Sequence, residues 1–539
     1  MNAVQQQPFL RIPPFPGARS VSFAAPPDGP EHFDDCRTHW LIGLVRELRV
    51  GGAYWAKQPL LPEGPYTLVR VADRDERLRI LERLPASERI VCWNDDPGDH
   101  DPSAAITGPC DPWSLLSGAR HVIADAKDEL ALIAEIAGTS LERGGGEPGD
   151  LVSNFRKRVA GAAYFDPFTG ERVTLEDAIR LCGFWRQLID SNRDIDSAIG
   201  FAFWKRPTVT PLLWGGSEMN FASELDPSLP GKVAVWKART SESVLAELDQ
   251  DEGKAIEVED GFIRSVGLGA DCVPPLSIVV DRLGVHFDPG RPSELERLIE
   301  KGEFSTELVE RARTLRELIV ASGVSKYAAG PASPVARTNE RRHILVPGQV
   351  EDDRAVLCGG GDVCGNLDLL RRVRQDSPDA YILYKPHPDV EAGHRAGGIP
   401  DESCFEFADE IVRDRPISAL IDLADEIHVN TSLAGFEALL RQKPVTTHGV
   451  PFYAGWGLTR DKGPVPSRRT AERTINELVA AVLLQYPRYL DPLTGLPCPP
   501  EILVRRIAQG AAPRDGVVVQ MRRLQGRLKK RLSGLGMAR

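Results

Sequence analysis

Short apolar runs of strand-like composition alternate along the chain with stretches whose apolar residues recur at helical spacing. In the first third, residues 66–72, 89–93 and 121–124 read as strands. Helical spacing begins near Trp40 and returns over 75–84, 113–117 and 128–137. In the centre, strands are predicted at 233–236, 255–259 and 276–280, with a helix at 242–249. A helix-rich connector over 292–322 carries Leu295, Leu298 and Ile299 at helical spacing. Beyond it come strand 343–347, helix 366–375, strand 381–384, helix 417–423, strand 426–429, helix 433–441 and strand 444–447. Two α/β halves joined by a connector predict a two-lobed molecule with a cleft.

Composition changes divide the chain further. Residues 1–30, rich in Pro, Gly, Gln and Ala, read as a loosely ordered arm. Residues 31–143 form a partial, degenerate α/β module. The run Gly144-Gly-Gly-Glu-Pro-Gly149 opens a linker and helical connector over 144–196. The first lobe is assigned to 197–330 and the second to 331–510. Within this frame Tyr164-Phe-Asp-Pro-Phe-Thr-Gly170 recurs as Tyr489-Leu-Asp-Pro-Leu-Thr-Gly495, each copy followed by a helix-like segment. The stretches 114–124 and 419–429 also run parallel, each a helix leading into a strand. Both repeats point to a duplicated module whose first copy is shortened. That first copy lacks a Lys-Pro-His-Pro sequence, so little chemistry is expected of it. Residues 511–539 reverse the charge of the chain. Arg522, Arg523, Arg527, Lys529, Lys530 and Arg531 interleave there with apolar residues, as in a basic amphipathic helix at a membrane surface or one packed on its own domain.

The 539 residues carry a net charge of −11, which argues against a general nucleic-acid binder. Nine cysteines without a CxxC pair fit a reduced, cytosolic setting, and ten histidines without an HExxH arrangement give no support to a metal site. No cofactor is expected. Neither a signal peptide nor an apolar stretch of about 18 residues is evident. The expected location is the cytoplasm, peripheral to the membrane's inner face.

Four stretches look unlike scaffold. In Val258-Glu-Asp-Gly-Phe-Ile-Arg-Ser265 a strand ends in two carboxylates, a glycine turn follows, and Arg264 comes next; such a carboxylate serves as base or nucleophile, or the motif is a common turn. Pro347-Gly-Gln-Val-Glu-Asp-Asp353 is a polar turn whose acids bind sugar hydroxyls or cap the next helix. Tyr381-Ile-Leu-Tyr-Lys-Pro-His-Pro388 presents Lys385 and His387 at the end of a strand, where α/β folds bind ligands. Asn430-Thr-Ser-Leu-Ala-Gly-Phe-Glu437 offers hydroxyls and helix N-terminal amides, an anion site or an ordinary N-cap, with Glu437 in reach of a ribose. A phosphate grip from Lys385, His387, Thr431 and Ser432, opposite an acidic group on the other lobe, is the layout expected of a nucleotide-sugar transferase.

The phrases Glu259-Asp-Gly-Phe-Ile-Arg-Ser-Val-Gly267, Gly348-Gln-Val-Glu-Asp-Asp353, Tyr381 to Val390 and Pro451-Phe-Tyr-Ala-Gly-Trp-Gly-Leu-Thr459, with the Tyr-Asp-Pro-Thr-Gly repeat, resemble the capsular polysaccharide β-Kdo transferases of the KpsC type over roughly 164–507. The resemblance implies a GT-B-like α/β fold, two Rossmann-like lobes flanking a cleft, beside a smaller N-terminal α/β region. It implies CMP-Kdo as donor, retention of the β configuration, and a Kdo-bearing phospholipid acceptor at the membrane, with other capsule biosynthesis proteins as partners. Asp260 would be the nucleophile or central carboxylate and Glu259 its supporting neighbour. His387 would contact the CMP phosphate with Lys385, Thr431, Ser432, Glu437 and Gln349 around the donor. Arg264, or Lys205 and Arg206, would pair with the Kdo carboxylate, and Asp352 and Asp353 would face substrate. Two departures stand out: one complete module where family members commonly carry two, and Trp236-Lys237 where Trp-Gly is expected. A transferase for another CMP-activated acid sugar such as a sialic acid, and a non-catalytic assembly or export component, are the alternatives.

Overall fold

A computed structural model describes residues 7–26, 33–94, 106–144, 150–159, 162–251, 253–265, 273–325, 335–391, 393 and 395–511. The chain divides into two compact units. Met1–Ile195 with Leu213–Met219 forms the first, and Asp196–Leu212 with Asn220–Arg539 the second.

In the first unit, β1 (Ala24–Ala25) is followed by β2 (Tyr66–Arg70), β3 (Ile90–Asn94), β4 (Ile106–Thr107), β5 (Ala119–Asp125), β6 (Ser140–Gly144), β7 (Ala163–Phe165) and β8 (Arg172–Val173). Strands β2 to β6 make a parallel sheet in the order β4-β3-β2-β5-β6. Leu68, Val69, Val91, Cys92, Val122 and Ile123 are all buried there, as expected of near-continuously apolar strands covered on both faces.

Two expectations are corrected here. The arm is folded over residues 7–26: Phe9, Leu10, Phe15 and Phe23 are buried, and β1 pairs antiparallel with β7. Its Pro and Gly content masked four large apolar anchors. Gly51, at φ +103°, makes room for one of them, since a Cβ there would lie 2.2 Å from the Phe9 ring. Residues 150–159 and 162–196 are likewise not a connector, and residues 145–149 of the predicted linker lie outside the described residues. The helix Leu175–Asp190, opened by a Thr174/Asp177 capping box, buries Ile179, Trp185 and Ile189 in the first unit's core.

The second unit holds two lobes. The first is built from β9 (Ile195–Ile199), β10 (Asn220–Ala222), β11 (Lys232–Val235), β12 (Ala255–Asp260) and β13 (Ser277–Asp281). The second contains β14 (His343–Pro347), β15 (Tyr381–Lys385), β16 (Glu410–Ile411), β17 (Glu426–Val429), β18 (Val445–Thr447) and β19 (Arg460–Asp461). After the helix Ile475–Val479 and a wide helical turn at Ala480–Gln485, the chain returns to the first lobe. There β20 (Pro487–Leu490) pairs antiparallel with β13, and β21 (Pro497–Cys498) pairs with β20. The end of the stretch 331–510 therefore belongs to the first lobe's sheet, whose order is β10-β9-β11-β12-β13-β20-β21. Tyr486 anchors the return by donating from its hydroxyl to Asp281 Oδ2 at 2.8 Å.

The second lobe's sheet is parallel, in the order β16-β15-β14-β17-β18-β19, or 3-2-1-4-5-6 in sequence terms. This is the order of a dinucleotide-binding fold. The first unit's sheet has the same order without a sixth strand, and its fourth strand, β5, follows a short helix as β17 does.

The seven-residue repeat is one hairpin made twice. Asp166 Oδ1 accepts from the amides of Phe168 and Thr169, and Asp491 accepts from those of Leu493 and Thr494. The Gly170 amide reaches the Asp166 carbonyl and the Gly495 amide the Asp491 carbonyl, both at 2.8 Å. Both glycines have positive φ, +76° and +73°. Tyr164 and Tyr489 donate their hydroxyls to the Val159 and Leu483 carbonyls. The sequence repeat is thus a repeat of a turn that makes the same side-chain and backbone bonds twice. Of the basic tail, residues 512–539 lie outside the described residues.

Candidate active site

Open α/β sheets bind ligands at the carboxyl ends of their strands, where strand order reverses. In the first lobe that point lies between β9 and β11, beside the end of β12. Gly200, at φ +84°, ends β9. A Cβ there would meet Trp236 O at 2.5 Å and Thr240 Oγ1 at 2.4 Å, so only glycine lets this loop close on the end of β11. The loop delivers Lys205, whose ammonium lies 3.2 Å from the Trp236 ring centroid and 3.2 Å from Asp260 Oδ1. Arg264 Nε donates to Asp260 Oδ2 at 2.8 Å, while its other nitrogens hold Ser265 Oγ and the Val273 carbonyl. Asp260 therefore sits between two cations at the end of its strand.

Glu257 and Glu259 alternate with Asp260 along β12, and at the strand's end Glu259 still feels the charge of Asp260 beside it. Lys237 Nζ is 2.5 Å from Glu257 Oε2. Arg354 reaches across from the second lobe: its Nη1 is 3.0 Å from Glu257 Oε1 and 3.3 Å from Glu259 Oε1, and its guanidinium lies 5.2 Å from the Phe287 ring centroid. Phe262, two residues beyond Asp260, packs against Phe452 and Phe436 of the second lobe, with centroids 4.8 and 6.3 Å away. The turn carrying Asp260 is thus held by both lobes. Burial, reinforced by the charge of Asp260, pushes the Glu259 carboxyl up to about 8. Burial pulls the Lys205 ammonium down to about 8, against the opposing pull of Asp260.

In the second lobe the reversal lies between β14 and β17. Gly348 follows β14, and a Cβ on it would lie 2.6 Å from the Tyr384 hydroxyl. Gln349 bridges the reversal: its Nε2 donates to Thr431 Oγ1 and its Oε1 accepts from the Thr431 amide, both at 2.9 Å. Asn366 fixes the Gln349 backbone from both sides at 2.8 Å. Ser432 caps the helix Leu433–Leu440, accepting from the Ala434 amide at 3.2 Å, and Glu437 is buried within that helix. At the end of β15, His387 Nδ1 accepts from the Asp389 amide at 3.2 Å, which leaves the neutral ring's proton on Nε2 as a donor. Lys385 Nζ donates to the Arg413 carbonyl at 2.7 Å, and burial lowers its pKa.

Several expected roles are redirected by these placements. Arg264 is buried and spends its guanidinium on Asp260 and its own loop, so it does not offer itself to a substrate carboxylate. Arg206 is exposed, 4.9 Å from the Phe221 ring centroid. Asp352 is an exposed partner of Arg395, and Asp353 caps the helix Arg354–Gly359 by accepting from the Ala355 amide. The Thr431 amide is engaged by Gln349, which takes it out of the four-residue phosphate grip, while the Lys385 ammonium gives one of its three donors to a carbonyl. Lys237, Glu257, Arg354 and Asn366 went unnoticed in the sequence. The one signal for them was the Glu257/Glu259 alternation, which presents two acids on one face of a strand.

Elsewhere in the second lobe, Glu426, His428 and His448 form a hydrogen-bonded chain of 2.9 and 3.1 Å. With Asp376, the two histidines bring three metal-capable groups within 4.8 Å, a grouping that no local spacing announced. In the first unit, the reversal between β2 and β5 is filled by carboxylates. Asp128 pairs with Arg70 at 3.0 Å and Asp125 accepts from the Ala72 amide, an arrangement that disfavours an anionic ligand. Among the described residues no helix is long and apolar enough to cross a membrane.

The model of a family described as capsule polysaccharide biosynthesis protein matches residues 232–489. The capsule polysaccharide modification protein LipA of Neisseria meningitidis serogroup B is 39% identical over 338 residues, 61% of this chain and 48% of that protein. The lipopolysaccharide-processing protein LpsZ of Rhizobium meliloti is 46% identical over 237 residues, 43% of this chain and 53% of that protein. The chain thus spans about half the length of these curated relatives. Among solved structures, the β-Kdo 2,4-transferase of Thermosulfurimonas dismutans KpsC is 31% identical, with a TM-score of 0.51; the match covers 58% of this chain and 98% of that one. Two α/β lobes joined in one unit are the GT-B arrangement, and the chain belongs to the capsule polysaccharide biosynthesis family of KpsC-type β-Kdo transferases.

Proposed function

We propose that this protein is a retaining glycosyltransferase that moves Kdo from CMP-Kdo onto a Kdo-bearing phospholipid in capsule biosynthesis. The observation that carries the reading is Asp260 held between Lys205 and Arg264 at the end of β12 in the first lobe, with the Gln349/Thr431 bridge at the reversal point of the second. In the first step an Asp260 oxygen attacks the anomeric carbon. The bond from that carbon to the phosphate oxygen breaks, and its electron pair leaves with CMP. In the second step an acceptor hydroxyl oxygen attacks the same carbon from the other face and expels the Asp260 carboxylate with its bonding pair. The hydroxyl proton passes to the liberated CMP phosphate. Two inversions retain the configuration.

The chain's own groups have distinct parts in this scheme. His387 Nε2–H donates to the departing phosphate, and the N-terminus of the helix Leu433–Leu440 faces it with Ser432. Glu437, buried within that helix, is the group assigned to the ribose. Arg264 and Lys205 orient the nucleophile rather than the sugar. The work site is the cytoplasmic face of the membrane, where the lipid acceptor resides, and the basic tail would serve attachment there.

The test is to supply purified protein with CMP-Kdo and a Kdo-terminated lipid analogue. CMP release with a product one Kdo longer is expected, and no CMP release with any Kdo acceptor overturns the reading. Competition between CMP-Kdo and a CMP-linked sialic acid decides which acid sugar is the donor.

A further inference from the structure

Resting on the acid-sugar donor reading above, we infer that Arg354 is the residue that recognises the donor's carboxylate and so restricts the enzyme to acid sugars. Among the described residues four cations line this part of the cleft, and one of them presents an unpaired guanidinium edge. Arg264 is buried and bonded to Asp260, Ser265 and Val273. Lys205 lies on the Trp236 ring against Asp260, and Lys237 is paired with Glu257. Arg354 differs from them. Both of its ion pairs, to Glu257 and Glu259, are made by Nη1, and among the described residues its Nε and Nη2 have no hydrogen-bond partner. Its side chain keeps 33% exposure, and Phe287 lies against its guanidinium.

Position and charge both fit. The carboxylate of a 2-keto sugar acid is attached to the anomeric carbon itself, so whatever binds it must lie next to the attacking group. Arg354 Nη1 is 3.3 Å from Glu259 Oε1, and that carboxyl lies close enough to Asp260 to be raised by its charge. A guanidinium edge with two parallel N–H groups matches a carboxylate in geometry as well as charge. Lys205, Lys237, Arg264 and Arg354 meet Glu257, Asp260 and a Glu259 that keeps its proton up to about 8, an excess of positive charge toward a ligand that brings a carboxylate and a phosphate. A neutral sugar donor would leave that excess uncompensated in a partly desolvated cleft. Arg354 comes from the second lobe while Asp260 belongs to the first, so binding the carboxylate engages the lobe that does not carry the nucleophile.

The experiment measures binding by calorimetry without acceptor, in an Asp260→Asn background that keeps the donor intact. Adding Arg354→Gln is expected to weaken CMP-Kdo about 100-fold, the scale of a lost charge-assisted bidentate pair, while CMP alone changes less than about threefold. Arg354→Lys, which keeps the charge and loses the fork, falls between. A methyl ester of CMP-Kdo should lose the same factor with Arg354 intact and nothing further with Arg354→Gln. Equal weakening of CMP and CMP-Kdo would mean that Arg354 only ties the lobes together, and no weakening of either would remove it from recognition; each result overturns the inference. An ester that binds as tightly as the acid overturns it even if Arg354→Gln does not fold. Failure of the wild-type protein to transfer Kdo, with the acid still preferred over its ester, would count against the reaction proposed above and not against the carboxylate site.

Discussion

Asp260→Asn keeps the size of the side chain and one acceptor oxygen but removes the charge shared by Lys205 Nζ at 3.2 Å and Arg264 Nε at 2.8 Å. At an effective dielectric of about 20, each such pair attracts by roughly 5 kcal/mol before desolvation is subtracted. Breaking a buried pair from one side costs about 3–5 kcal/mol. Asp260 keeps 27% side-chain exposure and asparagine still accepts from Arg264, so a loss of about 2–3 kcal/mol is expected. Lys205 absorbs part of it by releasing its proton, because the neighbour that most favours its charged form is gone. The variant should therefore fold and melt only a few degrees lower. Its transfer rate should fall at least about 1,000-fold, as expected when a nucleophile is removed. CMP affinity should stay within about threefold, because the proposed phosphate donors lie in the other lobe. Circular dichroism, calorimetry with CMP and CMP release in the presence of acceptor supply the three readings. Turnover above about a tenth of wild type would refute the assignment of the nucleophile. Loss of CMP binding together with turnover would show instead that the carboxylate shapes the cleft.

Glu259 gives a pH signature. Its folded pKa, near 8, exceeds the ordinary 4.5, so the folded chain holds the proton more tightly, and the cost of ionising it grows as pH rises from about 4.5 to about 8. Denaturant unfolding should show wild type losing stability relative to Glu259→Gln across that window; a constant difference would contradict it. Lys205 acts in the opposite sense: its depressed pKa makes its cost full below about 8 and relieved toward 10.5, which Lys205→Met should abolish in the same assay. The two copies of the repeated hairpin should differ in sensitivity. Asp491 is fully buried and also pairs with Arg506 at 2.9 Å, so Asp491→Ala should cost about 3 kcal/mol and Asp166→Ala about 1, read from thermal unfolding. Equal costs would mean that the turn alone, without burial, sets its stability. His387→Ala should weaken CMP binding by about tenfold in calorimetry without lowering the melting temperature by more than a few degrees, and unchanged affinity would take this histidine off the phosphate.

Most of the regular elements were legible along the chain because their signal is local. The strand 343–347 and the helix 417–423 coincide with His343–Pro347 and Ile417–Leu423, and the strand 426–429 with Glu426–Val429. Apolar runs bounded by Gly, Pro or Asp leave little alternative when both faces of the strand are to be covered. The repeated Tyr-Asp-Pro-Thr-Gly sequence carried its own turn for the same reason, since every bond in it spans only a few residues. Burial was harder to read. The arm of residues 7–26 looks disordered by composition, yet four aromatic and aliphatic side chains find a surface made by residues far along the chain.

The α/β alternation, the duplicated hairpin, the family and the Asp260 turn could all be read along the chain, because each rests on short-range patterning or on an unbroken motif. Only the tertiary structure decided which charges meet. Lys205 comes from the loop after β9, Arg354 from the second lobe and Lys237 from the end of β11, and no local spacing relates them to β12. Electrostatic pairing acts through space between groups brought to one edge by the strand order of separate sheets. That is why Arg264, adjacent in sequence to the acidic motif, proved to be committed to Asp260, while Arg354, 94 residues beyond Asp260, meets Glu257 and Glu259 on the same strand.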